Sequence, residues 1–177
     1  MDYEQLIRNW HVQAGNEDYF SRYVFEYLAF IAYLKRVKFT NKNTDSGAVR
    51  ALKDSEDIRD IYIAEVANNA SLQKAWLDIK AELDLRPLGE VDENTDQVRT
   101  IWYWDCDCQN VRNRQTHICE QQGQIRNLED WRNMVEFWHS IRNNFFHGGK
   151  DPHDDRDQLL VRGGFETLRP LMERLLK

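Results

Sequence analysis

The residues best suited to chemistry lie together between Ser140 and Lys150, in the string SIRNNFFHGGK. Arg142 is a fixed cation, His147 a titratable imidazole, and Asn143 and Asn144 are two amides between them. A guanidinium can hold a phosphate and stabilise the charge that develops in a transition state. An imidazole titrates near neutrality and can take or give a proton. The pairing suits phosphodiester chemistry on RNA, which carries its own nucleophile in the 2′-hydroxyl, so that no metal or cofactor is needed. Arg142 and His147 point about 140° apart on a regular helix, so they would not meet if the helix ran on. Asn143 and His147 are one turn apart and share a face, which lets the amide orient the imidazole. The competing structural reading pairs Arg142 with a surface carboxylate. It makes His147 a helix C-cap, beside carbonyls that favour its protonated form.

Other groups compete for a role. His139 lies roughly on the side of His147 and is a candidate substrate contact, as are Asn144 and Lys150. Arg156 and Arg162 could add phosphate contacts, but the neighbouring aspartates nearly cancel them. Cys106, Cys108, His117 and Cys119 are zinc-ligand types, yet only one residue separates the members of each pair. Paired zinc cysteines usually stand two or more residues apart, so packed thiols are the favoured reading and no metal is expected. Asp151, Asp154, Asp155 and Asp157 around His153 fit no calcium loop and read as a solvated acidic turn.

The elements that must position these residues are helical. Trp131, Met134, Val135, Phe137, Trp138 and Ile141 recur at helical spacing, with Asn127 as cap and Asp130 completing an approximate capping box. Gly148 and Gly149 end that helix, placing Arg142 in its penultimate turn. Residues 1–15 read as a lead-in. A long helix runs from a cap at Asn16 to about Phe39 and carries two apolar stripes. One holds Phe20, Tyr27 and Ile31; the second holds Tyr19, Tyr23, Phe30, Tyr33 and Val37. Such a helix is central in a bundle or shared with a partner chain. Where it crosses the signature helix, Tyr23 and Glu26 would border the site. A polar turn over Asn41–Gly47 precedes helices over about 48–53, from about 55, and from a cap at Ser71 to about Leu85. Residues 90–126 lack helical period and form an irregular insertion, with Ile101 to Trp104 packing as a short strand or wedge. A charged loop over 151–157 leads to a last helix over about 165–176.

At 177 residues, one domain spanning 1–177 is the natural expectation. Hydrophobic residues at 41% and aromatics at 12% argue against disorder. A net charge of −6 argues against a general nucleic-acid coat protein and confines any such role to a local basic patch. The most apolar run, Tyr27 to Leu34, falls far short of the roughly 20 residues of a membrane span. With no cationic-then-apolar leader and an odd number of cysteines, a cytoplasmic protein is expected.

The segment Arg142-Asn143-Asn144-Phe145-Phe146-His147 resembles the signature of the HEPN superfamily, an arginine and a polar residue followed by a histidine. The longer string RNNFFHGGK is similar to Apea-like and related prokaryotic HEPN proteins. The resemblance implies an all-α, HEPN-like bundle of four to five main helices, to which residues 90–126 would be an addition. It implies a homodimer in which two signature segments face each other and form one metal-independent ribonuclease site. Arg142 and His147 would be its catalytic pair and Asn143 the adjacent polar helper. A composite site removes the need for Arg142 and His147 to meet within one chain, and it makes the second stripe a candidate dimer surface. It further implies RNA as substrate and a setting in phage defence or a toxin-like stress response, with an antitoxin or defence-system partner. The alternative is a non-catalytic HEPN module that binds RNA or a partner protein.

Overall fold

A computed structural model describes residues 2–15, 18–91, 98–99, 104–106, 108, 122–146 and 151–177 of the protein. The fold is all-α, with seven α-helices among the described residues: α1 Tyr3–Gln13, α2 Tyr19–Tyr33, α3 Asp45–Lys53, α4 Glu56–Asn68, α5 Ala70–Leu85, α6 Trp131–Phe146 and α7 Asp155–Leu175. Leu34–Lys38 continues α2 as a π-helical turn. Two two-residue strands, β1 Glu90–Val91 and β2 Val98–Arg99, pair antiparallel.

Helix α6, which bears the signature, runs through the core. Trp138 is fully buried at its middle. Its ring lies 6.0 Å from Phe30, 5.4 Å from Tyr62, 5.8 Å from Trp76 and 6.1 Å from Trp131. The spacings and tilted or edge-on arrangements match the ring quadrupole preference. A buried indole N–H needs an acceptor, and those of Trp138, Trp76 and Trp131 each have one. Trp138 donates to Thr167 Oγ1 at 2.9 Å, Trp76 to the Tyr62 hydroxyl at 2.9 Å, and Trp131 to Leu52 O at 3.2 Å. Tyr62 in turn donates to Thr167 O at 2.7 Å. These polar links fix how α3, α4, α5, α6 and α7 meet.

Helix α2 packs against α1, α3, α6 and α7. Tyr23 and Phe30 of its second stripe are buried within the same chain, whereas Tyr19 and Val37 at its ends are exposed. The middle of that stripe is therefore core rather than open to a second copy. The lead-in expected over 1–15 is instead helix α1, capped by Asp2, whose side chain accepts from Gln5 N. It docks through Ile7 and through Trp10 stacked on Phe25 at 5.4 Å.

Several boundaries also shift. The described cap of α2 is Asp18, which accepts from Phe20 N and Ser21 N; Asn16 lies outside the described residues. Asn69, not Ser71, caps α5. Helix α6 starts at Trp131, and Asn127 accepts from Glu129 N in the preceding turn. Helix α7 begins ten residues before the expected start, capped by Asp154. Gly163 and Gly164 sit inside it because neighbours press on them. A Cβ on Gly164 would lie 2.8 Å from the Tyr23 ring, and one on Gly163 2.8 Å from Ile79 Cγ1.

The insertion leaves and rejoins the bundle at one point, where Leu88 N donates to Gly123 O at 2.9 Å. Gly123 has φ +78°, and a Cβ there would collide with the Leu88 backbone. Trp104 of the expected wedge is buried; Ile101, Trp102 and Tyr103 lie outside the described residues.

Candidate functional site at the end of α6

The last two turns of α6 present Arg142 and Asn143, both half-buried, and Phe146, which is exposed. Arg142 donates to Asn143 Oδ1 at 3.0 Å and stands 3.7 Å from the Asp45 carboxylate. Its guanidinium lies 4.8 Å from the Phe146 ring centre and 6.0 Å from that of Tyr27. Asp45 also binds Lys35 at 2.9 Å, so one carboxylate from the start of α3 is shared by two cations. The guanidinium thus has an amide, an acid and two ring faces around it while part of it remains open to solvent.

His139 lies one turn deeper and is nearly buried. Its Nδ1 is 2.9 Å from the Tyr27 hydroxyl. Burial, reinforced by the positive charges of Arg142 and Lys53 and opposed by Asp45, pushes the imidazole down to about 4. Burial also raises the Tyr27 phenol well above its usual range. Both groups are therefore neutral at pH 7, and the pair is a fixed hydrogen bond rather than a charge.

This predicts a pH dependence of stability. The imidazole titrates near 6.5 when unfolded and near 4 when folded. Between those values the unfolded chain binds the extra proton, so stability falls as the pH drops from 6.5 toward 4, by up to about 3 kcal/mol. Burial of Glu26 raises its carboxyl and has the opposite sign above pH 4.5. The difference between the wild-type chain and His139→Gln isolates the histidine. Urea midpoints measured at pH 7.5 and 4.5 should converge for the two proteins as the pH falls.

The remaining candidates separate. Asn144 is buried, and its amide donates to Gly89 O at 2.8 Å beneath the start of the insertion. Arg156 is tied to Glu82 at 2.7 Å and to Arg86 O at 2.6 Å. Tyr23 meets α6 through a hydrogen bond from its hydroxyl to Trp138 O. Glu26 instead faces away, binding His11 Nδ1 at 2.6 Å and Arg169 at 3.4 Å. Asp154 and Asp151 accept from backbone N–H groups of Asp157 and His153. Cys106 and Cys108 are half-buried, next to Asp105, which pairs with Arg132 and exchanges hydrogen bonds with Asn133. His117, Cys119, His147 and Lys150 lie outside the described residues. Among the described residues, no group of three or more His, Cys, Asp or Glu is placed to hold a metal, and no helix is long and apolar enough to cross a membrane.

Sequence reasoning missed Asp45 and Tyr27 as neighbours of Arg142. Tyr27 was visible in an α2 stripe, but Asp45 sits in what reads as a polar turn, and nothing local links it to Arg142.

No family model, curated protein or solved structure matches the chain. The site therefore has to speak through its own geometry.

Proposed function

We propose that the chain is a metal-independent endoribonuclease of HEPN type, with a composite Arg/His site formed between two copies and a role in phage defence or a toxin-like stress response. The observation that carries this reading is the sequence signature RNNFFH, whose residues Arg142 to Phe146 end a core helix, with Arg142 partly open to solvent and fixed beside Asn143. In the reaction, a base removes the 2′-hydroxyl proton and the 2′-oxygen bonds to the adjacent phosphorus. The bond from phosphorus to the 5′-oxygen breaks, and that oxygen leaves with a proton. The products are a cyclic 2′,3′-phosphate and a 5′-hydroxyl. Arg142 neutralises the phosphoryl oxygens as charge builds on them, and His147 transfers the proton.

The test is incubation with single-stranded RNA in EDTA. Cleavage that persists in chelator, yields cyclic phosphate ends, and disappears in both Arg142→Ala and His147→Ala is the expected result. Equal activity in either variant overturns it. The second reading, a non-catalytic HEPN module binding RNA or a partner protein, is favoured by Asp45, which already neutralises part of the Arg142 charge. It predicts binding that weakens in Arg142→Ala with no cleavage at any concentration.

A further inference from the structure

Outside the signature, arginine and aromatic side chains alternate along the adjoining edges of α2 and α7. The Arg169 guanidinium lies 5.6 Å from the Phe165 ring centre. Arg22 lies 5.8 Å from Phe165 and 5.2 Å from Tyr19, and Arg162 lies 6.0 Å from Tyr19. The two rings meet edge to face at 6.2 Å. The order is therefore cation, ring, cation, ring, cation.

The three cations are not equally neutralised. Arg169 is paired with Glu26 at 3.4 Å and Glu173 at 3.3 Å. Arg162 is half-exposed and among the described residues pairs with Glu166 alone, at 3.8 Å, a surface contact that binds weakly. Arg22 makes no ion pair among the described residues. Its guanidinium makes a long hydrogen bond, 3.5 Å, to Gly15 O, and its buried Nε has no partner among the described residues. Tyr19 is 40% exposed whereas Phe165 is buried, so Tyr19 is the open ring of the ladder.

The ladder is bordered by two clefts. One, of about 540 Å³, is lined by Tyr19, Phe20, Pro152, Gln158 and Arg162 together with Asp18 and Asp155. Asp18 is exposed and caps α2, accepting from two backbone N–H groups and from Ser21 Oγ. The other cleft, of about 570 Å³, lies between α5 and α7 and shares Arg162, Phe165 and Arg169. Phe20, next to Tyr19 in the chain, lies 5.7 Å from Phe145. The ladder thus leads onto the signature segment between Arg142 and His147.

We infer that this ladder is a stacking track for single-stranded RNA that delivers the strand to the end of α6. The exposed Tyr19 ring offers a face for a base, and the guanidiniums of Arg22 and Arg162 beside it suit the flanking phosphates, since bases stack on aromatic faces while cations follow the backbone. A duplex keeps its bases stacked on one another and cannot use the rings. The open cations are few, which fits a short track on an acidic body. The inference rests on the ribonuclease reading for its purpose, but the binding surface is tested without cleavage.

The experiment uses the full chain carrying Arg142→Ala, in EDTA, with a fluorescent 12-nucleotide RNA followed by anisotropy. Tyr19→Ala is expected to weaken binding about 10-fold, and Tyr19→Phe to leave it within about 2-fold, because the ring face remains. Arg162→Ala is expected to weaken binding and to flatten the slope of log affinity against log salt by about 0.7. Both side chains are surface groups, and an unchanged helical spectrum confirms the fold. Tyr19→Ala and Arg162→Ala both within 2-fold of the parent (roughly the tolerance set for the ring-preserving variant) would overturn the track. So would duplex RNA bound as tightly as the single strand, an acidic peptide displacing the RNA at equal concentration, or a parent chain with no RNA affinity. If Arg142→Ala still cuts RNA at the wild-type rate, the catalytic reading falls while these binding results stand.

Discussion

Arg142→Lys is expected to lower single-turnover RNA cleavage by at least about 100-fold while leaving the fold intact. The charge is retained, so any loss must come from geometry. The guanidinium is held by Asn143 at 3.0 Å and Asp45 at 3.7 Å, with the Phe146 ring 4.8 Å away. These neighbours suit a flat, delocalised cation that can lie on a ring and still present two parallel N–H groups to a phosphate. An ammonium is a point charge on a flexible stem and is drawn to the nearest carboxylate, here Asp45, which already binds Lys35. Arg142→Ala removes the charge as well and should fall to background. Both variants should melt near the wild-type temperature, because Arg142 is only half-buried and its ion pair is a surface one. Wild-type rates in Arg142→Lys would sink the assignment of a bidentate role to this residue.

The fold was legible wherever burial was periodic. The stripe of Trp131, Met134, Val135, Phe137, Trp138 and Ile141 marked α6, and its residues are buried. Where polar or breaker residues carried tertiary roles, the local signal misled. Gly163 and Gly164 look like a helix stop, yet they are the close-approach points for Ile79 and Tyr23. Pro170 lies within the same helix. Helix α1 fully buries Ile7 alone and docks through it and Trp10, on partners distant in sequence. At the site, Arg142 and Asn143 were legible from the signature. The neutral state of His139 was not, since it follows chiefly from burial beneath α2 and α3, and from Lys53 on α3 as well as Arg142 on its own helix. The ladder was invisible for the same reason: Arg22 and Arg162 belong to different helices and alternate with rings only once α2 and α7 are packed.

Glu136→Ala should destabilise the protein by about 3–5 kcal/mol, lowering its melting temperature by about 10 °C. Glu136 on α6 and Lys53 at the end of α3 are 2.5 Å apart, with side chains only 3% and 6% exposed. Ser140 Oγ reaches the same carboxylate at 3.4 Å. Removing one member leaves the other charge buried, and burial of an uncompensated ion outweighs the attraction lost with the pair. Lys53→Ala should therefore behave like Glu136→Ala. Replacing both together, as in Lys53→Met with Glu136→Leu, should restore stability to near wild type or above, because apolar side chains of similar size carry no desolvation penalty. The double variant also tests why the charges are there. The pair ties the end of α3 to α6, alongside the bonds from Trp131 to Leu52 O and from Arg132 to Lys53 O. The start of α3 carries Asp45 to Arg142. If the ion pair sets that register, the double variant will be stable but will cut or bind RNA less well than the wild-type chain. If the double variant is as unstable as the two single losses summed, the pair is not the source of the cost and the packing around both side chains is.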